Sequence, residues 1–469
     1  MKSVLPLILL FGLTACVSTP AAPPPVADTQ YAPEGDRQAL PEASGVTQHF
    51  AAASPGQWWK AFGSPQIDAL VDAALAANPG LKAQDAALAA ARETYAAQAS
   101  GLWPQVSAAY NVERAQNPNS LANPLGGNPP SLYTLHTAQL SVGYTVDLWG
   151  AGRQGLKAQK YQTEAVACQT EAARQALIAN VVGAAVQAAA LADQVRIAGR
   201  AADDSERLLG FAQKQKALGN MGDADLANVV NLVALDRQTE INLRHALFVQ
   251  LRLLGTLTGQ GPAAPVGVPA SLADITLPAD LPMVLPVEVV GRRPDIRYAA
   301  AQFDAAAASV HAAAAARLPV ISLDGSAGGA ATQLASLFRN GNSFWSLGVG
   351  IAEPLTGAVG LYHQQKAAQA QLMAAQAQYQ GAVQTALGGI ADTLDALYAD
   401  ARATAAADTQ ARTTADLLAD QKRQTQLGQS GDSDVLAADR AAAQAEVAQS
   451  LARSQRYADT VALFLAMGS

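Results

Sequence analysis

Leu13-Thr14-Ala15-Cys16 is the one stretch where residue type and spacing together announce a covalent step. Small residues ahead of a cysteine mark a cleavage site, Lys2 supplies the positive charge before it, and Val4 to Leu13 is an apolar run too short to span a membrane. The stretch resembles a bacterial lipoprotein signal, which implies a covalent lipid on Cys16 as the first residue of the mature chain. An ordinary secretory signal with a chance cysteine is the plainer alternative. Val17 stands where some bacteria place an aspartate for inner-membrane retention. With Cys16 acylated, Cys168 has no disulfide partner, and its helical surroundings read as simple packing. The remaining reactive-looking groups are acids: Asp223 and Asp225, then Asp432, Asp434 and Asp439, the last followed by Arg440. The five histidines have no metal-ligand spacing. Neither a nucleophile elbow, a phosphate loop nor a pair of catalytic carboxylates is recognisable, so no enzyme, cofactor or metal is expected. No basic tract accompanies the net charge of −7, which argues against a nucleic-acid partner.

The elements that carry these residues are long helices. Alanine supplies much of the 50% apolar content, aromatics are 5% and charged residues 15%. Such a chain lets helices approach closely. After a signal over residues 1–15, residues 16–57 form a Pro- and Ala-rich tether between lipid and fold. Beyond the signal no stretch has the length and apolarity of a membrane span, so any crossing must come from strands. The chain then repeats one plan, over 58–259 and 287–469, joined by a linker at 260–286. Arg153 to Leu218 and Gly360 to Leu427 lack proline. Each would extend on the order of 100 Å, coiled-coil fashion. Gly219 and Gly428 suit helix ends that require positive φ, and Asp223 and Asp432 suit N-caps of returning helices. Two helical hairpins result, with tips at Leu218-Gly219-Asn220 and Leu427-Gly428-Gln429.

Between the shorter and longer helices of each copy lie two strands. Val106 to Glu113 and Ala138 to Val146 belong to the first copy, Ile321 to Gly328 and Phe344 to Ile351 to the second. Ser141, Gly143, Thr145, Ser346, Gly348 and Gly350 alternate with apolar residues, which fits a wet lumen on one face and lipid on the other. Tyr144, Phe344 and Trp345 are candidate interface aromatics, and Asn117–Pro130 and Thr332–Asn342 read as external loops. Four strands cannot close a barrel, and open edges cost several kcal/mol per backbone group in lipid. A chain that spans must therefore oligomerise, with two copies giving eight strands and three giving twelve. The pattern alone also fits a half-buried periplasmic sheet.

Trp58-Trp59-Lys60-Ala61-Phe62, Asp68-Ala69-Leu70-Val71 and Ala74 to Leu81 resemble the opening of the TolC-like outer-membrane efflux proteins, in their lipidated, nodulation-type (OprM-like) branch. Leu285-Pro286, Arg292 to Arg297 with Leu318 to Leu323, and Val146 to Gly150 match further signatures in order. The resemblance implies a mainly α fold with a membrane β-barrel: a homotrimer with a twelve-stranded barrel, and hairpins forming an α-barrel across the periplasm. It implies a passive channel in the outer membrane, exporting drugs and toxic compounds, with docking to a periplasmic adaptor and an inner-membrane resistance-nodulation-division pump. The hairpin tips would meet the adaptor. Under threefold symmetry Asp223, Asp225, Asp432 and Asp434 would form an acidic ring at the entrance; plain helix capping is the competing role. The chain departs from the family pattern at Ala300 and Ala437, where Glu and Asp are usual. The acid missing at 437 helps narrow the entrance in relatives, and Asp434 or Asp439, paired with Arg440, is expected to substitute. Arg292, Arg293 and Asp295 read as structural, and Trp58 and Trp59 as packing in a belt. A lipid-anchored scaffold without a channel, and a channel for type I protein secretion, are the alternatives.

Overall fold

Proline-free, alanine-rich stretches give this protein its two longest elements. The computed structural model describes residues 47–48, 56–116, 132–261, 264–278, 280–281, 291–353 and 357–468. The signal, Cys16, the tether to residue 46, the 117–130 loop, Leu285-Pro286 and residues 354–356 lie outside the described residues. The first repeat comprises α1 (Pro65–Ala77), α2 (Pro79–Ser100), β1 (Gln105–Gln116), β2 (Leu132–Val146), α3 (Ala151–Ala217) and α4 (Asp223–Leu257). The second comprises α5 (Pro294–Ala315), β3 (Val320–Ala331), β4 (Ser343–Ala352), α6 (Ala358–Gln426) and α7 (Asp432–Ala466). Corresponding helices match closely: α2 and α5 both have 22 residues, α3 has 67 and α6 has 69, and α4 and α7 both have 35.

Both hairpin turns are made alike. Gly219 and Gly428 adopt φ of 80° and 73°, the left-handed conformation that a Cβ penalises. Asn220 N–H reaches the Gln215 carbonyl at 2.9 Å and Gln429 N–H the Gln424 carbonyl at 2.9 Å. This six-to-one closure satisfies carbonyls that the helix end would otherwise leave bare. The returning helices begin one residue earlier than the capping expectation. Gly222 and Gly431 are the N-caps, and Asp223 and Asp432 occupy the first helical turn. There the aspartates still complement the positive helix end, and Asp434 accepts the Gly431 N–H at 3.0 Å.

The chain divides into two units. Leu88–Val166 and Ala299–Tyr379 make the first. It holds a four-stranded antiparallel sheet in the order β1-β2-β3-β4, beside a helical core in which Phe303 and Val310 of α5 pack on Ala368, Leu372 and Ala375 of α6. The Val146-Asp147-Leu148-Trp149-Gly150 motif makes the corner from strand to helix. Asp147 accepts the backbone N–H groups of Gly152 (3.1 Å) and Arg153 (2.8 Å), Gly150 turns with φ of 83°, and Trp149 Nε1 donates to the Pro319 carbonyl at 2.7 Å.

The second unit comprises Ala167–Tyr298, Gln380–Ser469 and the described part of Pro24–Ala87. Its core is small-residue helix packing, with Val181, Val182, Ala185, Ala188 and Ala189 of α3 sealed from solvent. The expectation that no stretch beyond the signal has span-like length and apolarity is corrected here. α3 contains such a window, and 72% of it is buried inside the protein. Alanine and valine in a buried helix core produce the same composition as a span. Trp58 and Trp59 are buried, and Trp58 stacks on Phe464 with ring centroids 5.1 Å apart. Such pairs add about 0.5–1.5 kcal/mol beyond their burial. Asn78 caps α2 through the Leu81 N–H (2.9 Å) and reaches the Leu257 carbonyl (2.9 Å). Arg293 pairs with Asp295 at 2.8 Å and donates to the Ala466 carbonyl at the end of α7. These signature residues hold helix ends together.

Candidate functional site: a two-faced sheet and a hairpin network

The register sorts every strand residue onto a face. Val106 stands opposite Val142, and Val142 opposite Gly325, which pairs with Leu347. The neighbouring rows on that side are Ala108–Leu140–Ala327–Trp345, Tyr144–Leu323–Val349 and Val146–Ile321–Ile351. The opposite side carries Ser107, Asn111, Glu113, Gln139, Ser141, Ser322, Asp324, Ser326 and Ser346. Its polar groups bond to one another: Ser326 Oγ lies 2.7 Å from Ser346 Oγ, Ser322 donates to Asp324 at 3.0 Å, and Gln139 to Ser141 at 2.7 Å. The apolar row of β4 is bare, with Trp345 and Leu347 each 79% exposed. An apolar outside and a hydrogen-bonding inside are what a strand between lipid and water requires. Tyr144 and Trp345 take the apolar face as expected. Phe344 does not: it points to the polar face, against Gly328. Its place one residue before Trp345 fixes this, because strand side chains alternate.

In the second unit, one charged network joins α3, α4 and α7 behind the hairpin tips. Arg440 of α7 grips Asp236 of α4 with two hydrogen bonds, Nε to Oδ2 at 2.6 Å and Nη2 to Oδ1 at 2.9 Å. Ser205 of α3 also donates to Asp236. Arg237 binds Glu206 (2.7 Å) and Asp203 (3.0 Å) of α3 and Glu240 (2.8 Å) of its own helix. Arg200 pairs with Glu446, and Ile197 and Ala201 pack on Ala443 beneath them. Arg440 is thus committed to Asp236, and not to the acids beside it in sequence. Asp439 faces away from Ala437, because two residues along a helix is about 200° of rotation. It meets Asp204 of α3 instead, so it does not share the face of Ala437. Asp434, one turn before Ala437, remains on that face.

Asp204 is buried. Burial and the facing Asp439 carboxyl push its pKa up to about 6, against the pull of Arg207 and Arg200. A second carboxyl pair, Asp400 of α6 with Asp459 of α7, has Asp400 raised to about 7 by burial and by Asp459, opposed by Arg456. A carboxyl whose folded pKa exceeds its unfolded value near 3.8 adds stability that is full below that value and lost as pH rises through the folded pKa. The α3–α7 contact is therefore expected to tighten between pH 7.5 and pH 5. Amide exchange around residues 200–207, corrected for its intrinsic pH dependence, should slow by roughly tenfold over that window. Asp204→Asn should remove that dependence; an unchanged pH response in this variant would break the assignment.

The tips themselves are simple. Asp223 pairs with Lys216 across the turn, which holds its carboxyl below the usual range. Asp225, Asp432 and Asp434 are exposed. Leu218 and Leu427 are 72% and 67% exposed, so each tip presents an apolar side chain to whatever meets it. Among the described residues no group of three His, Cys, Asp or Glu could hold a metal ion. Sequence reasoning found the tips and missed Asp204, Asp236 and Asp400, whose partners lie on other helices. Their only trace in the sequence is an acid on an otherwise small or apolar helix face.

Comparisons with known proteins agree with this geometry. The model of the outer membrane efflux protein family matches residues 70–260 and 285–469. The pyoverdine export outer membrane protein OpmQ of Pseudomonas aeruginosa is 30% identical over 75% of this chain and 72% of its own. The antibiotic efflux pump outer membrane protein ArpC of Pseudomonas putida is 28% identical over 84% and 80%. A crystal structure of a membrane protein from Pseudomonas aeruginosa superimposes with a TM-score of 0.80 at 27% identity, covering 94% of this chain and 98% of that one. The two-faced sheet, the paired long hairpins and these likenesses converge: the chain belongs to the outer membrane efflux protein family and is an outer-membrane channel for export.

Proposed function

We propose that this chain is the passive exit duct of a tripartite system that expels small molecules, three copies closing a twelve-stranded barrel. The split between the apolar and hydrogen-bonded faces of the sheet carries this reading. A scaffold outside the membrane has no use for a bare apolar row ending in Trp345. Three copies satisfy the edges of β1 and β4, which four strands leave open. The exposed Leu218 and Leu427 at the tips suit docking of a periplasmic adaptor, and the inner-membrane partner is a pump of the resistance-nodulation-division class. The cargo is drug-like or siderophore-like, in keeping with what OpmQ and ArpC are named for. Cys16 carries the lipid anchor.

Purified protein in planar bilayers should form conducting trimers, and deleting its gene should sensitise cells to a subset of toxic compounds. A stable, non-conducting monomer would overturn the channel. Cys16→Ala should abolish palmitate labelling in growing cells while trimers persist; labelling that survives in the variant would show that the anchor lies elsewhere.

A further inference from the structure

We infer that the outer rim of the sheet's apolar face binds a phosphate-bearing glycolipid headgroup of the outer leaflet. The inference takes its orientation from the channel reading. Above the apolar rows lie Tyr110–Ala138–Gly329, then Val112–His136–Ala331, then Arg114–Thr134. From Val146 to His136, at ~3.4 Å per residue and ~40° tilt, the face climbs about 25 Å. That is the height of a lipid-facing band, and Arg114 lies one row beyond it. Charge is sorted across this sheet. The acids Glu113 and Asp324 stand on the polar face, whereas Arg114 stands on the apolar face.

The connection between β3 and β4 strengthens the rim. A Cβ on Gly329 would meet the Leu337 carbonyl at 2.3 Å and the Phe338 ring at 3.3 Å, so this loop folds back over the apolar side. It brings exposed Leu334 and Phe338 and the cation Arg339, and no acid between residues 332 and 342. In sequence, residues 117–131 carry no charge of either sign. Tyr110 Oη lies 2.8 Å from His136 Nδ1. With the phenol donating, the ring proton sits on Nε2, the edge left for an acceptor. Aromatics and aliphatics below, arginines above and no acid on that side match an acyl chain topped by phosphate. Soluble anions would use the arginines alone and ignore the apolar rows.

The test reconstitutes the full-length trimer in phosphatidylcholine nanodiscs doped with diphosphorylated lipid A, then counts retained lipid A by native mass spectrometry after detergent transfer. Wild type should retain it, the dephosphorylated lipid should be lost, and Arg114→Gln/Arg339→Gln should retain at least fivefold less. Arg114→Lys/Arg339→Lys, which keeps the charge, should recover most of the retention. Single-channel conductance measured on the same trimers separates failure of this site from failure of the channel. Equal retention by the glutamine variant, equal retention of the dephosphorylated lipid, or displacement by millimolar inorganic phosphate as effectively as by free lipid A would each overturn the inference.

Discussion

Arg440→Ala is expected to produce a leaky channel. The guanidinium and the Asp236 carboxylate are only 18% and 9% exposed, and they join the two hairpins of one chain, α7 to α4. Removing the cation leaves Asp236 buried with the Ser205 hydroxyl as its remaining neighbour in the network. Stranding one partner of a buried pair costs about 3–5 kcal/mol, enough to shift a closed-to-open equilibrium by ~100-fold or more. We expect a several-fold rise in mean conductance at low voltage and sensitivity of cells to large antibiotics that the outer membrane excludes. Arg440→Lys should fall between, because an ammonium cannot make the two-pronged grip. Asp236→Ala/Arg440→Ala should disturb the protein less than Arg440→Ala alone, since no buried charge is stranded. Folded Arg440→Ala trimers with wild-type conductance would exclude this pair as a lock and move attention to Asp434 and the tips.

The features legible in the sequence were those written into neighbouring residues. The φ requirement of Gly219 and Gly428 is local, so both turns could be placed from their Leu-Gly-Asn and Leu-Gly-Gln steps. Period-two alternation through Ser346, Gly348 and Gly350 is local as well, and it located β4 and its wet side. A one-residue slip was enough to mislead: Phe344 and Trp345 look equivalent as interface aromatics, and alternation sends them to opposite faces. The charged network was illegible for a different reason. Asp236 and Arg440 are brought together by the packing of two hairpins far apart in sequence. Helix pitch then decides that Arg440 turns to Asp236, and Asp439 to Asp204, so adjacency in the chain was a poor guide. The span-like window of α3 failed for a third reason, because a buried alanine-rich helix and a membrane helix share a composition.

The second large effect is expected in the barrel, where a single position distinguishes lipid from lumen. Leu347 lies near the middle of the apolar band, in the row with Val106, Val142 and Gly325. Leu347→Arg places a cation against hydrocarbon. At the bilayer midplane this costs roughly 2–4 kcal/mol per strand, and a trimer carries the change three times, roughly 6–12 kcal/mol in all. That rivals the total stability of an ordinary domain, so heat-resistant trimers should disappear from outer-membrane fractions. Ser346→Arg, one residue away, turns its side chain to the polar face beside Ser326. There the guanidinium meets water and the Asp324 row, so trimers should assemble normally. Three added cations in the lumen should instead lower cation conductance and shift the reversal potential in a salt gradient toward anion preference. The contrast decides between a membrane barrel and a sheet in water. A periplasmic sheet would tolerate Leu347→Arg about as well as Ser346→Arg, and matched trimer yields for the two variants would reject the barrel outright.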